Sequence, residues 1–129
     1  MDSSDTYEKM NRILIIDDEK SNLMYLNSLL SPEFTLYMAR DGAEAIERAN
    51  VYLPDLILLD ILMPGMDGFE VLSTLKNSEK TRNIPVIFVT GLSGDEDRIK
   101  GLELGAADYI TKPFDDETVL QCITNHLEI

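Results

Sequence analysis

Four predicted strands of this sequence end in residues that can carry chemistry. The strands are predicted at 13–16, 55–60, 86–89 and 107–111, and the residues at their ends are Asp17 and Asp18, Asp60, Thr90 and Lys112. Carboxylates held close together repel one another and raise one another's pKa, unless a cation lies among them. All-oxygen ligands favour a hard ion, and two or three carboxylates with water suit Mg²⁺. If the strand ends meet, the sequence predicts an acidic magnesium site.

Asp60 is the candidate nucleophile of this group. It ends the apolar segment PDLILLD and precedes a loop with the turn signals Pro64-Gly65 and Asp67-Gly68. An ionised carboxylate needs no base to attack phosphorus and forms an acyl phosphate. Lys112 would neutralise charge on the phosphoryl oxygens, while Thr90 and backbone N–H groups would donate hydrogen bonds to them.

The strands that carry these residues alternate with predicted helices. A further strand at 34–39 gives five strands and five helices, which is typical of an α/β fold with a mostly parallel sheet. In such a sheet the carboxyl ends of the strands share one edge. Right-handed crossovers favour a doubly wound arrangement, but the pattern leaves the strand order open.

Each predicted helix has an apolar side that should face the sheet. The helices are predicted at 20–30, from 41–42 onward, at about 68–77, at 95–104 and from Asp115, which can cap the last one. Their inward residues are predicted to be Leu23, Leu26 and Leu30; Ala45, Ile46 and Ala49; Phe69, Leu72 and Leu75; Ile99 and Leu102; and Val119, Leu120, Ile123 and Leu127.

Length and composition restrict the class of protein. A chain of 129 residues predicts one domain, with residues 1–10 as a flexible polar leader and 11–129 as the domain. The net charge of −13 disfavours binding to nucleic acid or to an anionic membrane. No signal peptide or bilayer-spanning run is visible, so a cytoplasmic protein is expected. The single Cys122 excludes a disulfide framework and is predicted to be a buried thiol. His126 is expected to lie far from the acidic edge, which is the edge of the sheet where Asp17, Asp18 and Asp60 would meet.

Four motifs, in order and at suitable spacing, resemble those of one family. They are DD at 17–18, LDILMPGMDG at 59–68, VTG at 89–91 and DYITKPF at 108–114. Together they are similar to the CheY-like receiver domain of two-component response regulators, over roughly residues 11–127. The resemblance implies a single doubly wound, flavodoxin-like (βα)₅ sandwich whose five-stranded parallel sheet has the order 2-1-3-4-5.

The resemblance also implies a role for each matching residue. Asp60 would be the phosphoacceptor, and Thr90 and Tyr109 would form a conformational switch. A Mg²⁺ or Mn²⁺ ion would be held by Asp17, Asp18, Asp60 and the backbone carbonyl of Leu62. The phosphoryl group would be stabilised by Thr90, Lys112 and the Gly91 backbone N–H, and Pro113 would follow a cis peptide bond.

The implied function is that of a phosphorylated signalling domain. A histidine kinase or histidine phosphotransfer protein would supply the phosphoryl group, and the domain would not be a turnover enzyme. It is expected to be either a stand-alone receiver or a piece of a longer protein, with an unidentified output. A phosphorylation-dependent homodimer through helix four, strand five and helix five stays open. The apolar Leu62 and Leu92 lead to the hypothesis of slow self-dephosphorylation.

Two other functions are compatible with parts of the pattern. A receiver-like module that binds proteins without phosphorylation would need none of the acidic pair, Asp60 or Lys112, yet all are present. An Mg²⁺-dependent phosphatase with an aspartyl intermediate usually has a second aspartate two residues after the nucleophile. That position is Leu62 here, which disfavours the phosphatase.

Overall fold

Five parallel strands form one sheet in the computed structural model, which describes residues 11–127. The strands are Arg12–Ile16 (β1), Thr35–Ala39 (β2), Leu56–Leu59 (β3), Val86–Thr90 (β4) and Asp108–Thr111 (β5). Their order is β2-β1-β3-β4-β5, and every pair is parallel. This confirms the doubly wound fold and the strand order that the resemblance implied. The leader expected at residues 1–10 lies outside the described residues.

Four helices connect the strands, and a fifth follows β5. They are Lys20–Leu30 (α1), Gly42–Tyr52 (α2), Gly68–Lys76 (α3), Asp95–Glu103 (α4) and Asp116–His126 (α5). Asp41, Asp67 and Asp115 cap α2, α3 and α5, since each side chain accepts a hydrogen bond from a backbone N–H in the first turn. Such caps satisfy donors that would otherwise have no partner within the helix.

The helices cover both faces of the sheet, so the core has two layers. Residues of α2 and α3 pack with Leu14, Ile57 and Phe88 on one face. Residues of α1 and α5 pack with Ile15 and Leu58 on the other face. Burial on both faces explains why β1, β3 and β4 are continuous apolar runs instead of alternating ones. Among the described residues, no helix is long and apolar enough to cross a membrane.

The predicted inward faces are confirmed for α1 and α3 but are wrong for α4. Ile99 and Leu102 of α4 are 53% and 44% exposed. The residue that meets the sheet is Gly101, where an added Cβ would lie 3.0 Å from the Phe88 ring. At 3.6 residues per turn, Ile99 and Leu102 are rotated about 160° and 100° from Gly101. They therefore point away from the sheet.

Candidate functional site

The sheet brings the predicted reactive residues together at its carboxyl edge. The Asp60 backbone N–H donates to the Ile16 carbonyl at 3.0 Å, which places β3's end beside that of β1. The Lys112 N–H donates to the Thr90 carbonyl at 2.8 Å, which does the same for β5 and β4. Asp17, Asp60 and Thr90 are all buried there.

Lys112 joins two of the carboxylates. Its Nζ lies 2.8 Å from Asp17 Oδ2 and 3.2 Å from Asp60 Oδ2. Burial alone would lower the pKa of Lys112, but its hydrogen bonds and charge interactions with Asp17 and Asp60 outweigh this and raise it. The ammonium group is therefore charged and supplies a fixed positive charge at the edge of the sheet.

Asp60 lies in an environment that disfavours its charge. Burial raises the pKa of Asp60, and the neighbouring charge of Asp17 raises it further. The charge of Lys112 and hydrogen bonds from Thr90 and Lys112 act in the opposite direction but do not cancel the increase. A cation or an electrophile placed beside this carboxylate would thus relieve an unfavourable interaction.

The three aspartates form a cluster that suits a hard metal ion. Asp17, Asp18 and Asp60 each offer a carboxylate oxygen, and these oxygens lie within 4.8 Å of one another. Asp17 is held by the Glu19 backbone N–H, which donates to its Oδ1 at 2.9 Å. Lys112 already places a positive charge between Asp17 and Asp60. The all-oxygen donor set, with excess negative charge, fits Mg²⁺ or Mn²⁺.

The loop after β3 turns back tightly beneath Asp60. The Leu62 N–H lies 3.3 Å from Asp60 Oδ1, and the Leu62 side chain is 56% exposed. At Gly68 a Cβ would lie 2.4 Å from the Asp60 carbonyl oxygen, so only glycine allows this approach. The Gly68 N–H donates to the Ile61 carbonyl at 2.8 Å and closes the turn. The start of α3 is thereby attached directly to the end of β3.

A chain of contacts joins Thr90 to Tyr109. The Leu92 N–H lies 3.4 Å from Thr90 Oγ1, and the Tyr109 hydroxyl donates to the Leu92 carbonyl at 2.7 Å. Tyr109 is buried, and the Arg98 guanidinium lies 5.1 Å from its ring centroid. Burial, followed by the charge of Asp97, raises the pKa of Tyr109, so the phenol stays a hydrogen-bond donor. The loop after β4 and the Tyr109 ring on β5 are thus linked through the Leu92 backbone carbonyl.

Known protein families and known proteins resemble this chain in both sequence and structure. The family model described as "Response regulator receiver domain" matches residues 13–124. The chain belongs to the response regulator receiver domain family. It is 50% identical over 106 residues to the response regulator PleD of Caulobacter vibrioides, covering 81% of this chain and 23% of PleD. It is 38% identical over 115 residues to protein PilH of Pseudomonas aeruginosa, covering 88% of this chain and 95% of PilH.

Solved receiver structures share the same architecture. The signal receiver domain of a histidine kinase from Syntrophus aciditrophicus has a TM-score of 0.83 and 36% identity, with 91% of this chain and 89% of that chain covered. The chemotaxis protein CheY4 of Vibrio cholerae has a TM-score of 0.87 and 28% identity, covering 92% of this chain and all of that one. The receiver chain spans only about a quarter of the length of the first curated relatives that it matches (23% and 26%).

The receiver's remaining predicted residues lie around this edge or away from it. Gly91 is exposed beside Thr90, and the peptide bond between Lys112 and Pro113 is cis. His126 contacts Asp108, the first residue of β5, and so lies at the opposite end of that strand from Lys112. Cys122 is buried, as predicted.

Two contacts near the site were not predicted from the sequence. One is the Leu92 carbonyl as the partner of Tyr109, because a backbone carbonyl leaves no mark in a sequence. The other is Arg98 over the Tyr109 ring, for which an arginine in the helix before β5 was a weak signal.

Proposed function

We propose that this receiver accepts a phosphoryl group on Asp60 and changes conformation in response. The observation that carries the proposal is the position of the Lys112 ammonium group within 3.2 Å of Asp60 and 2.8 Å of Asp17. This places a fixed cation next to the one carboxylate that ends the central strand. A structural ion pair would not by itself need the adjacent Asp18 and the buried Thr90 hydroxyl.

The reaction would be an attack by an Asp60 carboxylate oxygen on the phosphorus of a phosphohistidine. The new oxygen–phosphorus bond forms as the phosphorus–nitrogen bond breaks, and the electron pair leaves with the imidazole nitrogen. Lys112 would balance charge on the phosphoryl oxygens. The Thr90 hydroxyl and the Gly91 N–H would donate hydrogen bonds to them.

Asp17, Asp18, Asp60 and the Leu62 carbonyl would hold the Mg²⁺ or Mn²⁺ ion. When bound, the ion would neutralise the clustered carboxylates and the charge of the incoming phosphoryl oxygens. The buried Asp17 carboxylate accepts a hydrogen bond from the Glu19 backbone N–H, whereas Asp18 is more exposed. This arrangement supports a direct role for Asp18 and a role for Asp17 largely through water.

Thr90 and Tyr109 would transmit the change. Movement of the Thr90 hydroxyl toward a phosphoryl group would alter its contact with the Leu92 N–H. The Leu92 carbonyl holds the Tyr109 hydroxyl, so the same movement would change the position of the ring. Phosphorylation would then shift the balance between two conformations of this segment.

The partner class follows from the family and not from any one contact. A histidine kinase or a histidine phosphotransfer protein would donate the phosphoryl group, in the cytoplasm. The receiver would catalyse its own phosphorylation and dephosphorylation without turning over a separate substrate. The switched receiver would control an output domain or a target protein, and a phosphorylation-dependent homodimer would use α4, β5 and α5.

Intact-mass analysis after incubation with acetyl phosphate tests the proposal. We expect one Mg²⁺-dependent phosphoryl adduct in the wild type and none in Asp60→Asn. The matched control is Asp55→Asn, which changes an exposed aspartate before the same strand and should keep the adduct. An adduct that persists in Asp60→Asn would assign the phosphoacceptor elsewhere.

Loss of the adduct must not result from unfolding of the variant. Because burial and Asp17 raise the pKa of Asp60, the folded state binds its proton more tightly than the unfolded state does. Stability from this group is present at low pH and is lost as the pH rises through the raised pKa. Asp60→Asn should therefore unfold at a urea concentration no lower than the wild type at neutral pH. A folded wild type without any adduct would instead favour a phosphorylation-independent binding module.

Leu62 and Leu92 should slow hydrolysis of the acyl phosphate. Leu62 is largely exposed and Leu92 is half-buried beside Thr90, so both can restrict the approach of water. Substituting both with asparagine should shorten the phosphoryl lifetime, measured by the decay of the adduct after removal of the donor. The exposed Leu53→Asn is the control, because it lies at the end of α2. An unchanged lifetime in the double variant would contradict this role.

A further inference from the structure

The chain's only cysteine and only histidine lie beside one aspartate, far from the acidic edge. Asp108 begins β5, whereas Lys112 follows its last residue. Cys122 and His126 are both on α5, four residues apart, so they lie on one face of the helix about one turn from each other. Asp108, Cys122 and His126 are named here the Asp-Cys-His cluster.

The cluster is arranged around one carboxylate. Asp108 Oδ1 accepts a hydrogen bond from the Tyr109 backbone N–H at 2.8 Å, which fixes the orientation of the carboxylate. Its Oδ2 faces α5, where the Cys122 thiol donates to it at 3.2 Å and His126 Nε2 lies 3.1 Å away. One atom from each residue lies within 4.8 Å of the other two.

We propose that the Asp-Cys-His cluster binds a divalent transition-metal ion of the zinc class. Zn²⁺ binds thiolate, imidazole and carboxylate ligands at about 2.0–2.3 Å, so ligand atoms around one ion are about 3–4 Å apart. The contacts of 3.2 Å and 3.1 Å already have this spacing. Small side-chain movements would be sufficient to admit an ion.

The donor set distinguishes this site from the acidic cluster. Sulfur and nitrogen ligands favour zinc-like ions, whereas three carboxylates favour Mg²⁺. Three protein ligands leave a fourth position for water or for a ligand from another molecule. Asp108 and Cys122 also line a solvent-open groove, which gives an ion a route to the cluster.

Metal binding would replace the thiol proton. Burial, helped by the hydrogen bond to Asp108, raises the pKa of Cys122 to about 12, so the thiol is protonated and serves as the donor to Asp108. On binding, the sulfur–metal bond takes the place of the S–H bond and the proton leaves to solvent. The bound ion would join the last turns of α5 to the start of β5, where Tyr109 follows Asp108.

Cobalt spectroscopy on the full reduced chain tests the proposal. Co²⁺ takes similar ligands, and a bond between Co²⁺ and a thiolate gives a charge-transfer absorption. Because Cys122 is the chain's only cysteine, this absorption can arise only from the Asp-Cys-His cluster. We expect it to saturate at one equivalent of Co²⁺, to be displaced by Zn²⁺ and to be unaffected by Mg²⁺.

Matched variants locate the ligands. Cys122→Ser should abolish the absorption, and His126→Gln and Asp108→Asn should each weaken Co²⁺ binding by at least about tenfold, the lower end of what loss of a supporting contact costs. Asp116→Asn, an exposed aspartate on α5, should bind as the wild type does. Asp18→Asn should also keep the absorption, since it alters only the acidic cluster.

A second measurement requires no variant. His126 is the chain's only histidine, so its imidazole NMR signals are unambiguous and should shift on addition of Zn²⁺ to the wild type. Absence of the cobalt absorption, or imidazole signals that Zn²⁺ leaves unchanged, would overturn the proposal. The cluster would then be a hydrogen-bonded contact between α5 and β5 that binds no metal.

Discussion

Helices α3 and α4 have nine residues each and cover the same face of the sheet, but they are held in different ways. α3 buries five residues, whereas α4 buries only Gly101. In place of buried apolar side chains, α4 makes two cation–π contacts. Lys100 Nζ lies 4.3 Å from the Phe69 ring centroid, and the Arg98 guanidinium lies over the Tyr109 ring. Such contacts contribute only about 0.5–1 kcal/mol each at exposed sites.

The N-terminus of α3 is also better stabilised than the N-terminus of α4. Asp67 and Glu70 form a capping box at α3, while Gly94 offers α4 no side-chain cap. α3 should therefore open only with the whole domain, and α4 should open locally at lower free energy. The helix next to Leu92 and Tyr109 is thus the one that can move without disrupting the core.

The largest predicted difference is between Leu72→Ala and Leu102→Ala. Leu72 is fully buried on α3, so its truncation should lower the free energy of unfolding by about 2–5 kcal/mol. Leu102 on α4 is 44% exposed, and its truncation should change the free energy of unfolding by no more than about 0.5 kcal/mol. Urea denaturation of both variants measures this. Equal losses would mean that α4 contributes to the core as α3 does.

The glycines of the two helices give the next comparison. At Gly68 an added Cβ meets the Asp60 and Ile61 backbone at 2.4 and 2.6 Å, so Gly68→Ala should lower the free energy of unfolding by at least about 1–3 kcal/mol. At Gly101 the Cβ meets two side-chain rings and no backbone, that of Phe88 at 3.0 Å and that of Tyr109 at 3.5 Å. Alanine also gains up to about 1 kcal/mol in helix propensity there, so the net change should stay within about 1 kcal/mol.

Thermal denaturation of both alanine variants checks the glycine prediction. A loss at Gly101 that matches the loss at Gly68 would show that α4 cannot shift away from Phe88. A small loss at Gly68 would show that the loop beneath Asp60 is looser than its contacts indicate.

The smallest predicted effect concerns the helix starts. Asp67→Ala removes the α3 cap and should lower the free energy of unfolding by about 1 kcal/mol. Gly94→Asn supplies a capping side chain to α4 and should raise it by only a few tenths of a kcal/mol. Amide hydrogen exchange should nevertheless slow along α4 in Gly94→Asn. Unchanged exchange would indicate that fraying at Gly94 does not control the opening of α4.

The fold was predictable from the sequence where apolar runs and caps agree. β1, β3 and β4 are buried on both faces, and Asp41, Asp67 and Asp115 mark helix starts. The strand order was not contained in the pattern and came only from the resemblance. The inward face of α4 was predicted wrongly because Gly101, which has no side chain to reveal a buried position, is its contact with the sheet.

The acidic edge was predictable for a topological reason. Asp17, Asp60 and Lys112 each follow a strand, and parallel strands bring such ends together whatever the sequence separation. No such rule predicts the contact of Cys122 and His126 with Asp108, because Asp108 lies at the start of its strand and not at its carboxyl end. Their four-residue spacing was the available signal, but neither residue type nor spacing indicates which strand a helix will face.

The exposed side chains of α4 have a consequence for how this domain can diverge. Ile99 and Leu102 contribute little to the core, so substitutions there have almost no effect on folding. Truncation of a buried apolar residue on the inward face of α3, such as Leu72, would instead lower the free energy of unfolding by about 2–5 kcal/mol. The outer surface of α4 can therefore change in sequence while the residues around Asp60 stay the same, which separates a part of the molecule that tolerates substitution from a part that does not.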